Sequence, residues 1–226
     1  MVDDNTTSHQ ASNYDEEIAA TLPCLALFHQ ATINLVRATG VAASRWLDTG
    51  CGTGTLAVLA HDTFPGTRFM LADPSPAMLQ AAQEKLDGIN SVDFEPGGTG
   101  DLTLPDDTFD VITAIQCHHY LDPAGRAVAT GNCLRMLRPG GVYVTFENVR
   151  PLTPQGVQVG LSMWGDYQTG AGKTPAQAAE HAGRFDTGYH PITIAQHLDL
   201  LHQTGFTVAE VLWVSYMQAG FWGLKP

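Results

Sequence analysis

The chain is poor in basic residues. Eleven Lys and Arg stand against 23 Asp and Glu in 226 residues, a formal net charge of −12. Because no Lys/Arg cluster interrupts the excess, a nucleic-acid partner is not expected: a polyphosphate needs a basic face. The same deficit disfavours an anionic membrane. Long apolar runs are missing too, and none reaches the roughly 20 residues that span a bilayer. The first residues are acidic and polar, without the apolar stretch of a secretory leader. Cysteine is scarce. Cys24, Cys51, Cys117 and Cys133 are far apart and form no C-x-x-C pair. They read as small buried side chains rather than as disulfides or a metal site, and they suit a reducing cytoplasm. No metal is expected.

What is present is a soluble-protein composition, 44% hydrophobic, with enough chain for one domain and one substantial core. Residues 1–12 are polar and aperiodic and read as a disordered tail. Residues 13–226 read as a single domain. Within it, 13–43 form a helical cap broken near Pro23, with a second helix over 25–39 ended by Gly40. Strands then alternate with helices: strands at 45–48, 68–72, 92–95, 109–115 and 142–147, helices at 55–62, 76–87 and 123–138. That alternation predicts an α/β fold, a doubly wound, mainly parallel sheet covered on both faces. Residues 149–190 break the rhythm with prolines, glycines and aromatics; they are too long for an ordinary connection and read as a substrate cap, helical over 174–183. A helix at 194–204 and strands at 208–214 and 218–224 close the chain.

The centre of the pattern is Trp46-Leu47-Asp48-Thr49-Gly50-Cys51-Gly52-Thr53-Gly54, followed by an apolar helical stretch. An apolar strand ends in an acid, and three glycines follow at alternate positions. Glycine admits the left-handed backbone and lets main chain approach a ligand. The helix that follows offers free N–H groups and a positive dipole end. The dinucleotide fingerprint G-x-G-x-x-G does not fit, because Thr55 stands at its sixth position.

D-x-G-x-G-x-G resembles the first motif of the class I S-adenosylmethionine (SAM)-dependent methyltransferases, and residues 44–148 resemble that family's core in order. The resemblance implies a seven-stranded Rossmann-like sheet with an antiparallel last strand, and SAM as cofactor. It implies that the loop from Asp48 through Gly50, Cys51 and Gly52 wraps the methionine part. Asp73 would bind the ribose hydroxyls, which suits a carboxylate facing a diol; its competing role is a helix cap before Pro76. Pro74 and Met78 would flank the adenine. Thr99 and Gly100 would meet it in a third motif that departs from the family's usual Gly-Asp pair. Gln116 would offer its backbone to the SAM ammonium, and Tyr14 resembles a tyrosine that closes over the methionine end.

The reacting end is less marked. His119 is the candidate general base and Tyr216 a second. His118, Met163, Trp164 and Tyr167 are candidate substrate contacts. Each has an ordinary reading as well: packed histidine, or aromatic core. The expected partner is a small-molecule methyl acceptor, with the protein a monomer or homodimer. Two alternatives stay open: an enzyme that makes a SAM derivative, as a carboxy-SAM synthase does, with Arg150 or Arg184 to hold a carboxylate, or a SAM-binding module without turnover. A nicotinamide-dependent oxidoreductase would need the other glycine spacing.

Overall fold

The computed structural model describes residues 11–226. Residues 1–10, most of the expected tail, lie outside the described residues. Ala11–Asn13 form a 3-10 turn leading directly into a helix, so residues 11 and 12 of the expected tail belong to a regular element. Two helices follow, α1 (Tyr14–Thr21) and α2 (Leu25–Thr39). Then come β1 (Arg45–Thr49), α3 (Thr55–Thr63), β2 (Arg68–Asp73), α4 (Pro76–Lys85), β3 (Val92–Pro96) and β4 (Phe109–Ile115). The rest is α5 (Pro123–Met136), β5 (Leu137–Asn148), α6 (Pro154–Gly170), α7 (Pro175–Gly183), α8 (Ile194–Thr204), β6 (Val208–Ser215) and β7 (Gln218–Leu224).

The seven strands form one sheet in the order β3-β2-β1-β4-β5-β7-β6, with β7 antiparallel to both neighbours. Alternate residues of the central strands enter different cores, as period-2 geometry requires. Trp46, Leu71 and Val111 pack with α2, α3 and α4, while Leu47, Ala72 and Ile112 pack on the other face with α5 and α8. Burial on both faces explains why these strands read as continuous apolar runs.

Two elements differ from the sequence pattern. Helix α5 stops at Met136 and β5 already begins at Leu137. Pro139-Gly140-Gly141 is carried inside that strand, where pairing shifts between Phe109↔Leu137 and Val111↔Val142. The cap holds a 17-residue helix, α6, that the pattern did not reveal. Glycines at 156, 160, 165 and 170 interrupt its periodicity, yet Thr153 caps its start and Pro154 opens it. Gly160 is required by contact: a Cβ there would meet Met217 Sδ at 2.7 Å. Among the described residues, no single helix is long and apolar enough to cross a membrane.

Candidate active site

In a sheet of this winding, ligands bind beyond the carboxyl ends of the strands, where the strand order reverses. Here that point lies between β1 and β4. The loop leaving β1 has left-handed residues at Gly50 (φ 63°) and Gly52 (φ 53°). Its path is pinned by Cys51 N–H donating to the Ala72 carbonyl (3.1 Å) and Gly54 N–H to that of Cys51 (3.0 Å). Asp73 ties the loop to β2: Oδ2 accepts from Gly52 N–H and Oδ1 from Ser75 N–H, both at 2.9 Å. Asp73 thus serves as a local backbone acceptor beside the loop.

Tyr14, Asp48, Gly50, Cys51, Gly52 and Gln116 line one cleft of about 460 Å³, together with apolar residues of α1, α2 and α3. The Tyr14 ring lies over the glycine loop; a Cβ on Gly52 would meet its Cε1 at 3.6 Å. Helix α1 is held there by a latch. Lys85 Nζ donates to Asp15 Oδ2 (2.6 Å), Thr53 Oγ1 (2.7 Å) and Thr55 Oγ1 (2.8 Å). Asp48 is buried and accepts from Thr113 Oγ1 at 2.7 Å. Burial raises its carboxyl to about 7, aided by the Asp73 charge and opposed by the Thr113 bond.

Asp73, Pro74, Met78, Thr99 and Gly100 are not among the residues that line that cleft. Pro74 is exposed and Met78 buried in the first turn of α4. The Thr99 hydroxyl turns inward, shared between Thr49 Oγ1 (2.7 Å) and His118 Nε2 (3.0 Å).

A second, smaller chamber of about 20 Å³ adjoins the cleft. Tyr14, Ile18, Leu22 and Gln116 line both, and His119, Tyr120, Asn148, His181, Arg184 and Tyr189 complete the chamber. Gln116 adopts a left-handed backbone (φ 59°), which a non-glycine residue seldom does. Its Nε2 is buried without a hydrogen-bond partner, as is the Tyr189 hydroxyl. Buried polar atoms ordinarily find partners, so two orphans around one small cavity mark a place for a water or for one polar group of a ligand. Burial raises Tyr120 to about 12 against the pull of the Arg184 charge, and raises Tyr189 as well. Arg184 is seated by its own loop: Gly188 leaves space where a Cβ would meet Arg184 Nε at 2.7 Å, and Arg150 pairs with Asp186 and stacks on Phe185.

Of the expected reacting-end residues, His119 lines this chamber, as does Arg184 of the carboxylate-binding alternative; the other candidates do not. His118 does not. Its Nδ1 meets Tyr143 Oη (3.2 Å) and its Nε2 meets Thr99, and burial lowers its pKa, so it is a packed neutral imidazole. Tyr216 sits on the outer side of the β6–β7 turn, 47% exposed, against the Tyr167 ring. The turn does reach the cofactor end of the sheet, but α6 covers it, and Met217 is the residue that points inward. Met163 is 51% exposed on α6. Trp164 and Tyr167 fasten α6 to α1: Trp164 Nε1 donates to the Thr21 carbonyl (2.7 Å), and the Tyr167 hydroxyl to that of Ala19 (3.0 Å). Sequence alone did not mark Tyr120, Glu147, Asn148, His181 or Tyr189. The available signal was Glu147-Asn148, two polar residues closing an apolar strand at the ligand end of the sheet.

Comparison with known proteins supplies the deciding observation: residues 47–141, the segment carrying the glycine loop, Asp73 and Gln116, match the model of the methyltransferase domain family. Residues 47–141 are a methyltransferase domain, as the resemblance to the class I SAM-dependent enzymes implies. SAM is the cofactor or substrate of this methyltransferase. A curated relative is the carboxy-S-adenosyl-L-methionine synthase of Trichlorobacter lovleyi, 24% identical over 213 residues, covering 88% of this chain and 86% of the relative. Among solved structures, the apo SAM-dependent methyltransferase SibL superposes with TM-score 0.64 at 16% identity, over 88% of this chain and 54% of that one. The putative methyltransferase solved with the Haloferax volcanii Trm112 activator gives TM-score 0.66 at 15% identity, over 97% and 100%. At these identities the two structures speak for the fold. The residues around the cleft fit the cofactor: they present a backbone loop with left-handed glycines, an acid anchored beside it, and an unpartnered buried amide.

Proposed function

We propose that this methyltransferase moves the methyl group of SAM to a small-molecule acceptor. The methionine end of the cofactor lies in the cleft under Tyr14, against Gly50, Cys51, Gly52 and Gln116 and above Asp48. Its ribose meets Asp73, with Pro74, Met78, Thr99 and Gly100 around the adenine. SAM supplies a methyl on a sulfonium, already activated for displacement. The chain then has to position an acceptor and keep water out. The observation that carries this reading is the shared wall: Tyr14, Ile18, Leu22 and Gln116 border both the cleft and the chamber. A cofactor in one therefore presents its reacting end to the other. Calorimetric titration tests the reading. Binding of SAM, weakened by Asp73→Ala, is expected; no heat at millimolar SAM would overturn it.

A second reading has its own support. The curated relative that matches 88% of this chain is a carboxy-SAM synthase, and Arg184 lines the chamber next to the expected methyl position. A guanidinium there is suited to a carboxylate. Arg150 is committed elsewhere, to Asp186 and Phe185. Mass spectrometry of the nucleoside released from purified protein separates the two. Carboxy-SAM in place of SAM or S-adenosylhomocysteine would favour the second reading, and Arg184→Met should then abolish its retention.

A further inference from the structure

Behind His119 lies a buried carboxylate that lines neither the cleft nor the chamber. Glu147, on β5, is 1% exposed. Three of its four contacts go to one turn. Oε1 accepts from His118 N–H (3.1 Å) and Thr145 Oγ1 (2.8 Å). Oε2 accepts from His119 N–H (2.9 Å) and lies 2.7 Å from His119 Nδ1. We propose that Glu147 is a positioning residue that makes His119 the proton acceptor of the chamber, and that the methyl acceptor accordingly carries an ionisable O–H or N–H.

The tautomer follows from the acceptor. Burial alone would raise the Glu147 carboxyl, but the bond to His119 acts against it and lowers it, and two backbone N–H groups and a hydroxyl also converge on its oxygens, as suits an ionised carboxylate. An ionised carboxylate only accepts hydrogen bonds, so Nδ1 must be the donor. In a neutral imidazole the lone pair then resides on Nε2. That nitrogen has no hydrogen-bond partner among the described residues, and His119 lines the chamber. The groups around it are Tyr14, Tyr120, His181, Arg184 and Tyr189. A purely structural staple would need only the two backbone N–H bonds. The bond to the imidazole adds what such a staple does not require: a fixed ring and a fixed proton. Burying a carboxylate is costly unless it is fully bonded, and strongly perturbed buried acids beside a ligand cavity gather at functional sites.

The step balances. The acceptor's proton passes to His119 Nε2, and its oxygen or nitrogen pair forms the new bond to carbon. The carbon–sulfur pair remains on sulfur as a thioether. The imidazolium so formed lies against the Glu147 carboxylate and later returns its proton to solvent.

This inference rests on the methyltransferase reading, and its test is separable from it. Nitrogen-15 NMR of the full chain, with histidine labelled, should show His119 protonated at Nδ1 and bare at Nε2. Glu147→Gln, near in shape but uncharged, should keep its urea midpoint close enough to wild type to be folded at the NMR temperature and should redistribute the His119 proton between the two nitrogens. His119 protonated at Nε2 in the wild type, or an unchanged proton position in E147Q, would overturn the proposal. Should E147Q not fold, the wild-type spectrum alone decides it. SAM calorimetry runs beside it: failure to bind SAM with the tautomer as stated would remove the methyltransferase reading and leave the Glu147–His119 pair standing.

Discussion

Gly50→Ala and Gly52→Ala are the same substitution two residues apart in one loop, and the structure assigns them different costs. Both glycines are left-handed, at φ 63° and 53°. An alanine at either position carries the left-handed penalty of roughly 1–2 kcal/mol. Reduced freedom of the unfolded chain returns about 0.4–1 kcal/mol of that. At Gly52 little else changes, because the new Cβ would lie 3.6 Å from Tyr14 Cε1, an ordinary contact. At Gly50 it would lie 2.5 Å from Cys117 Cβ and 2.7 Å from its Sγ. Overpacking of that kind adds about 1–3 kcal/mol. Urea unfolding should therefore rank Gly50→Ala about 1–3 kcal/mol below Gly52→Ala. Calorimetry should show SAM binding lost in the first and weakened in the second. Cys117→Gly removes both clashing atoms. A double-mutant cycle with Gly50→Ala should return a favourable coupling in the range of about 0.5–3 kcal/mol. Equal costs for the two alanines, or no coupling to residue 117, would refute this account of the loop.

Other outcomes follow from the same geometry. The folded-state pKa of Asp48 is raised from 3.8 to about 7, so the native state binds the extra proton between those values. Stability should fall as pH rises from 4 to 7, by an amount of the order of 4 kcal/mol. Asp48→Asn should remove that slope in urea titrations compared with wild type. His197 is held at about 4 by burial, with the Glu147 charge opposing. Its sign is opposite: stability is lost as pH falls from 6.5 toward 4, and His197→Phe should lessen that loss. Trp164→Ala empties a fully buried site and severs the bond to Thr21, for about 3–5 kcal/mol by thermal unfolding. Tyr167→Phe loses only hydrogen bonds to Ala19 and Leu22, for about 1 kcal/mol. Loss of SAM affinity in Tyr167→Phe equal to that in Gly50→Ala would contradict its placement outside the cleft.

The sequence by itself determined the sheet and the loop that serves it. Local chemistry suffices there: apolar strands buried on both faces, glycines where φ must be positive, and an acid at the end of β2. These features lie within a few residues of one another, so spacing carries them. It did not determine the cap. Helix α6 hides behind its glycines, whose value is visible only when Met217 is found against Gly160. Nor did it determine the reacting end. His118 and His119 are neighbours in the chain, yet one is enclosed by Tyr143 and Thr99 and the other faces the chamber. Trp164 and Tyr167 have the composition of a substrate wall but serve as pins to α1. The chamber is assembled from residues 14, 116, 119, 148, 184 and 189, brought together by the sheet order and by packing of the cap. No periodicity connects them, and only the folded chain decides which side chains share a cavity.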